Sequence, residues 1–196
     1  MVAPVKFGRY VFLVELVNPA NPDQALAVDP IVKNVLAQTT IEHYHVHSGL
    51  HFVLDDYDGE VNIAAPKYWH LVAPDTNTEI HVYFSGSASN PGLFEIFEEP
   101  TVTADGVGLE RVNNYRDFGR VSELGAFKDP TVADDGTRLA VGLIGGGTGI
   151  GRIGGTSSRP DELILKRGTA YLIKFTPSQN DTKVTINLSW YEVEEE

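Results

Sequence analysis

Between residues 184 and 191 every second side chain is apolar: Val184, Ile186, Leu188 and Trp190 alternate with Thr185, Asn187, Ser189 and Tyr191. A period of two matches a β-strand, whose successive side chains point to opposite faces, and a helix does not gather such a set on one side. The alternation recurs at residues 79–85, where Ile80, Val82 and Phe84 are interleaved with His81, Tyr83 and Ser85. Runs at residues 67–73, 92–97 and 170–176 are of the same kind. Turn signals separate them: Asp58-Gly59, Asn90-Pro91-Gly92, Asp105-Gly106, Asp135-Gly136 and Arg167-Gly168. Short strands parted by such turns predict an all-β fold, an antiparallel β-sandwich with a jelly-roll-like arrangement. Residues 98–136 and 145–161, rich in Gly, Asp, Asn and Ser, are expected to be long loops.

The pattern differs upstream of Thr40. Residues 5–17 are rich in β-formers and read as one strand, followed by the turn cluster Asn18-Pro19-Ala20-Asn21-Pro22-Asp23. Asp29 and Pro30 supply a helix cap and a first helical residue. Val28, Ile31, Val32, Val35 and Leu36 then recur at helical spacing, which predicts one short helix at about residues 30–38. The expected division is an N-terminal arm, residues 1–39, and a β-sandwich domain, residues 40–196.

Charge and cysteine content narrow the function. A formal net charge of -12 opposes a phosphate-tracking surface, so nucleic acid is not an expected partner. The absence of cysteine excludes disulfides, thiolate nucleophiles and cysteine zinc sites. The apolar run Tyr10-Val11-Phe12-Leu13-Val14 is too short for the core of a signal peptide. Residues 139–151, uncharged and apolar, fall well short of the ~20 residues of a membrane helix. A soluble protein without a membrane partner is expected.

Several residue groups carry possible chemistry. In Glu42-His43-Tyr44-His45-Val46-His47-Ser48-Gly49-Leu50-His51, strand alternation would place His43, His45 and His47 on one face. Imidazoles ~7 Å apart can converge on a metal, as in a cupin, but the glutamate such a site needs is replaced by His51 and Phe52. Histidines that hydrogen-bond within a sheet are the simpler expectation. Gly149-Ile150-Gly151-Arg152-Ile153-Gly154 spells a dinucleotide fingerprint, yet no helix-forming sequence follows it. Asp55, Asp56, Asp58 and Glu60 read as a solvated turn before a calcium site. Glu95, Glu98, Glu99 and Asp105 read as surface charge before a glycosidase pair. Trp69, Tyr68, Tyr83 and Tyr115 suit a sugar-stacking platform or, preferably, a protein interface. No catalytic residue, cofactor or metal ligand is assigned, and a non-enzymatic protein is expected.

Ordered short motifs support that expectation. They are residues 41–52, Trp69-His70-Leu71-Val72-Ala73-Pro74-Asp75-Thr76, Asn113-Asn114-Tyr115-Arg116, Ser158-Arg159, Leu163-Ile164-Leu165-Lys166, Thr169 with Tyr171-Leu172, and Leu188-Ser189-Trp190-Tyr191-Glu192. Together they resemble a family of virion-associated proteins of tailed bacteriophages, over about residues 41–192. The resemblance implies a capsid decoration, or cement, protein: a viral structural protein, homotrimeric, bound to the major capsid protein on the outer capsid surface of the virion. During assembly it would reside in the host cytoplasm. The alternatives are a tail or head-fibre module that binds host carbohydrate and a cupin-like metal-dependent enzyme using His43, His45, His47 and His51.

Overall fold

The computed structural model describes residues 5–7, 10–12, 17–18, 21–25, 41–144, 151–153 and 162–194. In chain order they form β1 (Val5–Phe7), β2 (Tyr10–Phe12), β3 (Val17–Asn18), β4 (Asn21–Ala25), helix α1 (Ile41–His47), β5 (His51–Val61), β6 (Lys67–Val72), β7 (Thr78–Ala88) and β8 (Gly92–Glu98). There follow β9 (Thr101–Ala104), β10 (Val107–Gly108), β11 (Val112–Asn113), β12 (Gly125–Lys128), β13 (Thr131–Asp134), β14 (Thr137–Ile144), β15 (Gly151–Ile153), β16 (Leu163–Leu165), β17 (Ala170–Pro177) and β18 (Thr182–Glu194). The chain divides into two compact units, residues 1–48 and 49–196.

In the first unit β1 pairs antiparallel with β2, and β3 with β4. The single strand expected over residues 5–17 is therefore a set of short strands, and Asn21, Pro22 and Asp23, read as turn, belong to β4. β-propensity marks extended backbone without saying where it folds back. The helix expected at about residues 30–38 lies outside the described residues. A helix stands instead at Ile41–His47, where the histidine alternation predicted a strand. Polar residues at every second position carry no burial signal, and His43 and His47 are equally an i, i+4 helical pair. Ser48 N donates to Tyr44 O at 3.0 Å, completing the last turn, and Gly49 follows at φ 68.

The second unit is the sandwich. Sheet I runs β10-β12-β6-β17-β8-β14, and sheet II runs β11-β5-β18-β7-β15, with β16 also paired to β7. All pairings are antiparallel. Along the chain β5, β6, β7 and β8 alternate between the sheets, and β14 joins β8. β17 then enters between β6 and β8, and β18 between β5 and β7. This nesting of early strands around late ones is the jelly-roll order.

The alternating apolar residues meet between the sheets as the period requires. Val184, Ile186, Leu188 and Trp190 of β18 are buried with Trp69, Leu71, Phe94, Ile173 and Phe175 of sheet I. The Phe94 ring lies 4.7 Å from Phe175, 5.3 Å from Phe84 and 6.4 Å from Trp69. An apolar cavity of about 40 Å³, lined by residues including Leu71, Val82, Tyr171 and Leu188, remains in this core. Sites that enclose small molecules measure roughly 300–1,000 Å³.

Residues 98–136, expected as loop, hold β9 to β13. β12 extends sheet I beside β6, and β11 extends sheet II beside β5, so one insertion covers an edge of each sheet. Strands of two to four residues are too short to display a period, which hid them in the sequence. Gly106 sets the entry to β10 at φ 90, and a Cβ there would lie 2.1 Å from Lys128 O. Because the obstruction is backbone, Gly106→Ala is expected to lower unfolding stability in urea by about 2–4 kcal/mol. Gly108→Ala, with open space around the added methyl, is expected to change it by less than about 0.5 kcal/mol. Equal midpoints for the two variants would contradict this account.

Candidate functional site

The helix disperses the histidine cluster. His43 and His47 share one face, their rings T-shaped at 4.4 Å, whereas His45 is buried. His51 lies on β5, its Nδ1 2.8 Å from Asn114 Nδ2 and its Nε2 3.1 Å from Ser189 Oγ. Among the described residues no group of three or more histidines or carboxylates is placed to hold a metal ion.

The proposed aromatic platform does not form either. Trp69 points into the core, fully buried, and its Nε1 donates to Asp56 Oδ2 at 2.8 Å. Residues 67–73 carry apolar groups on both parities, so alternation did not assign its face. Tyr68, on the outer face of sheet I, lies under Lys174 Nζ at 5.5 Å. Tyr83 faces out from sheet II beside Tyr191, which stacks on His81 at 4.5 Å and bonds Glu162. Tyr115 is exposed and stacks on Phe118 at 5.6 Å.

The carboxylates are split among separate partners. Asp55 faces out and bonds Asn187, Asp56 faces in toward Trp69 and Lys128, and Asp58 pairs with Lys67 at 2.8 Å. Glu95 pairs with Arg138 at 3.0 Å, Glu98 accepts from Tyr171 Oη at 3.1 Å, and Asp105 lies 3.4 Å from His70. Glu99 is exposed in a turn at φ 56. Within the glycine-rich fingerprint residues 151–153 form β15, a strand where a nucleotide site requires a helix.

Two buried polar groups escaped the sequence reading. Glu192 is fully buried on β18, and its Oε1 accepts from Ser122 Oγ at 2.6 Å, Glu123 N at 3.0 Å and Trp190 Nε1 at 3.3 Å. Arg120 Nη2 stands 3.7 Å from Oε2. One carboxylate thereby ties residues 120–124 to sheet II. Glu192→Ala strips these donors of their acceptor and is expected to cost about 3 kcal/mol in urea unfolding. A loss below about 1 kcal/mol would show that the segment holds without it.

His70 lies on the outer face of sheet I yet is 3% exposed, with the Phe127 ring at 5.9 Å. Burial pushes its pKa below the ordinary 6.5, and Asp105 opposes the shift without cancelling it. The unfolded chain then takes up a proton that the folded chain refuses, so stability falls as pH drops through 6.5 toward the folded value. Lys166 holds Glu98 below its usual 4.5, so that carboxylate's contribution is lost only in more acidic solution. His70→Leu is expected to flatten the urea-midpoint profile just below pH 6.5. An unchanged slope would assign the loss to other groups.

The remaining feature is an open edge. Sheet I ends at β14, and among the described residues no strand pairs with its outer side. Leu139, Val141 and Leu143 are 42%, 56% and 71% exposed, and Leu143 is paired with Leu93, itself 39% exposed. The strand contains no acid, and its one cation, Arg138, is neutralised by Glu95. Its only interruption is a register shift between Arg138 and Ala140. Natural sheets blunt such edges with charge, proline, bulges or cover; the described part of this edge carries one register shift and one ion-paired arginine, and the rest of it is apolar.

Compared with known proteins, the chain matches no family model, no curated protein and no solved structure.

Proposed function

We propose that the chain is a non-enzymatic structural protein of tailed-phage virions, coating the outer capsid surface and cementing the shell, with the major capsid protein and its own copies as partners. The observation that carries this reading is the apolar edge of β14, which holds no acid, on a chain of net charge -12. Such a surface serves adhesion to protein, and the surrounding acidity suits a position outside the shell, away from packaged DNA.

The motifs behind the family resemblance support the same role. Asn113 Nδ2 donates to Gly49 O at 2.9 Å and its Oδ1 accepts from Tyr115 N at 2.9 Å. Trp69, Tyr171, Trp190 and Glu192 likewise place their polar atoms in buried or half-buried bonds that join strands and loops. These residues maintain a scaffold, which is what a cement protein requires of its body.

Mass spectrometry of purified particles is expected to find the chain in stoichiometric amounts, and electron microscopy to place it on the outer head surface. Finding it in infected-cell lysate and absent from particles would refute the proposal.

A further inference from the structure

Resting on the reading of β14 as an adhesive edge, and in place of the homotrimer that the family resemblance implies, we infer that its occupant is a second copy of this chain, joined β14 to β14 in antiparallel register about a two-fold axis. The shape of the strand names that occupant first. Past the register shift at Leu139, β14 runs regularly from Ala140 to Ile144 with Gly142 at its middle. Self-pairing centred on Gly142 sets Val141 of one copy against Leu143 of the other, twice over. Apolar side chains then meet apolar side chains at every exposed position of the joint, and each Leu143 stays flanked by Leu93 of its own sheet.

Charge points to the same place. Two copies at -12 each repel across most of their surfaces, and β14 offers a stretch of eight residues without an acid. Arg138 brings no unpaired cation to the joint, because Glu95 holds it at 3.0 Å. The regular stretch supplies about five backbone hydrogen bonds, roughly half those of a standard interface. Val141 and Leu143, covering one another across the joint, supply the apolar part. The contact is isologous, so it closes at two copies and does not run on into a fibre.

Light scattering and sedimentation of the full chain at micromolar concentration are expected to give twice the single-chain mass. Val141→Asp and Leu143→Asp, at positions exposed in the single chain, are expected to reduce this to the single-chain mass, with the urea midpoint falling to the value that the wild type shows once diluted into single chains. The chain has no cysteine, so proteins carrying Val141→Cys and Leu143→Cys can be mixed and oxidised without background. The mixture is expected to give a disulfide-linked dimer. A wild-type monomer, a trimer, or any oligomer that Val141→Asp leaves intact overturns the inference, as does a dimer whose mixed cysteine variants fail to cross-link. Particle composition is read separately: a monomer found on virions sinks the edge pairing alone, and a dimer absent from virions sinks the virion role alone.

Discussion

Thr182–Glu194 hydrogen-bonds to β5 along one side and β7 along the other, so the last strand of the chain is an inner strand of sheet II. β17 holds the same position in sheet I, between β6 and β8. Neither sheet closes until this C-terminal pair is seated, and its partners lie far back in the sequence, as in Trp190 opposite Phe52. Contacts of such long range make a jelly roll slow to form and cooperative once formed. Trp190, fully buried and stacked on Phe52 at 5.8 Å, anchors the joint.

The same strand governs what happens at the margins. Glu192 grips Ser122 and Glu123, which lead directly into β12 and hence to the cover over β6. Asn113 performs the matching task at the start of β5, reaching Gly49 and Arg120. One end of each sheet is thus sealed by an insertion whose attachment is polar and buried. At the far end of sheet I, β14 has no such cover among the described residues. Sheet I is therefore uneven in its described part, with one margin bonded to an insertion and the other apolar.

Much of this architecture was legible before any coordinates. The alternation of residues 184–191 and 79–85 located β18 and β7, neighbours in sheet II, and their buried faces. The sandwich class followed from the turn signals, most of which stand between strands, whereas Asp58-Gly59, expected as a turn, lies inside β5. The site was less legible. His43, His45 and His47 form a period-two set by letter, but alternation informs only when one parity is apolar, and here both are polar or aromatic. Trp69 failed as a sugar platform for the opposite reason, since apolar groups occupy both parities of its strand. Glu192 stood at the head of an acidic run, Glu192-Val193-Glu194-Glu195-Glu196, that reads as solvated charge, and nothing local to it announces Ser122 or Trp190.

The sequence by itself determined that the body is built from strands, which side chains face inward along the most regular of them, and that the chain is strongly acidic. These are local properties, set by side-chain alternation and net charge, and they need no knowledge of neighbours. Tertiary structure alone decided the strand order, the burial of Glu192 and His70, and the place of β14 at the end of sheet I among the described residues. Each of those depends on what lies across a sheet or on a segment dozens of residues away, and hydrogen-bond pairing between distant strands leaves no local mark in the letters.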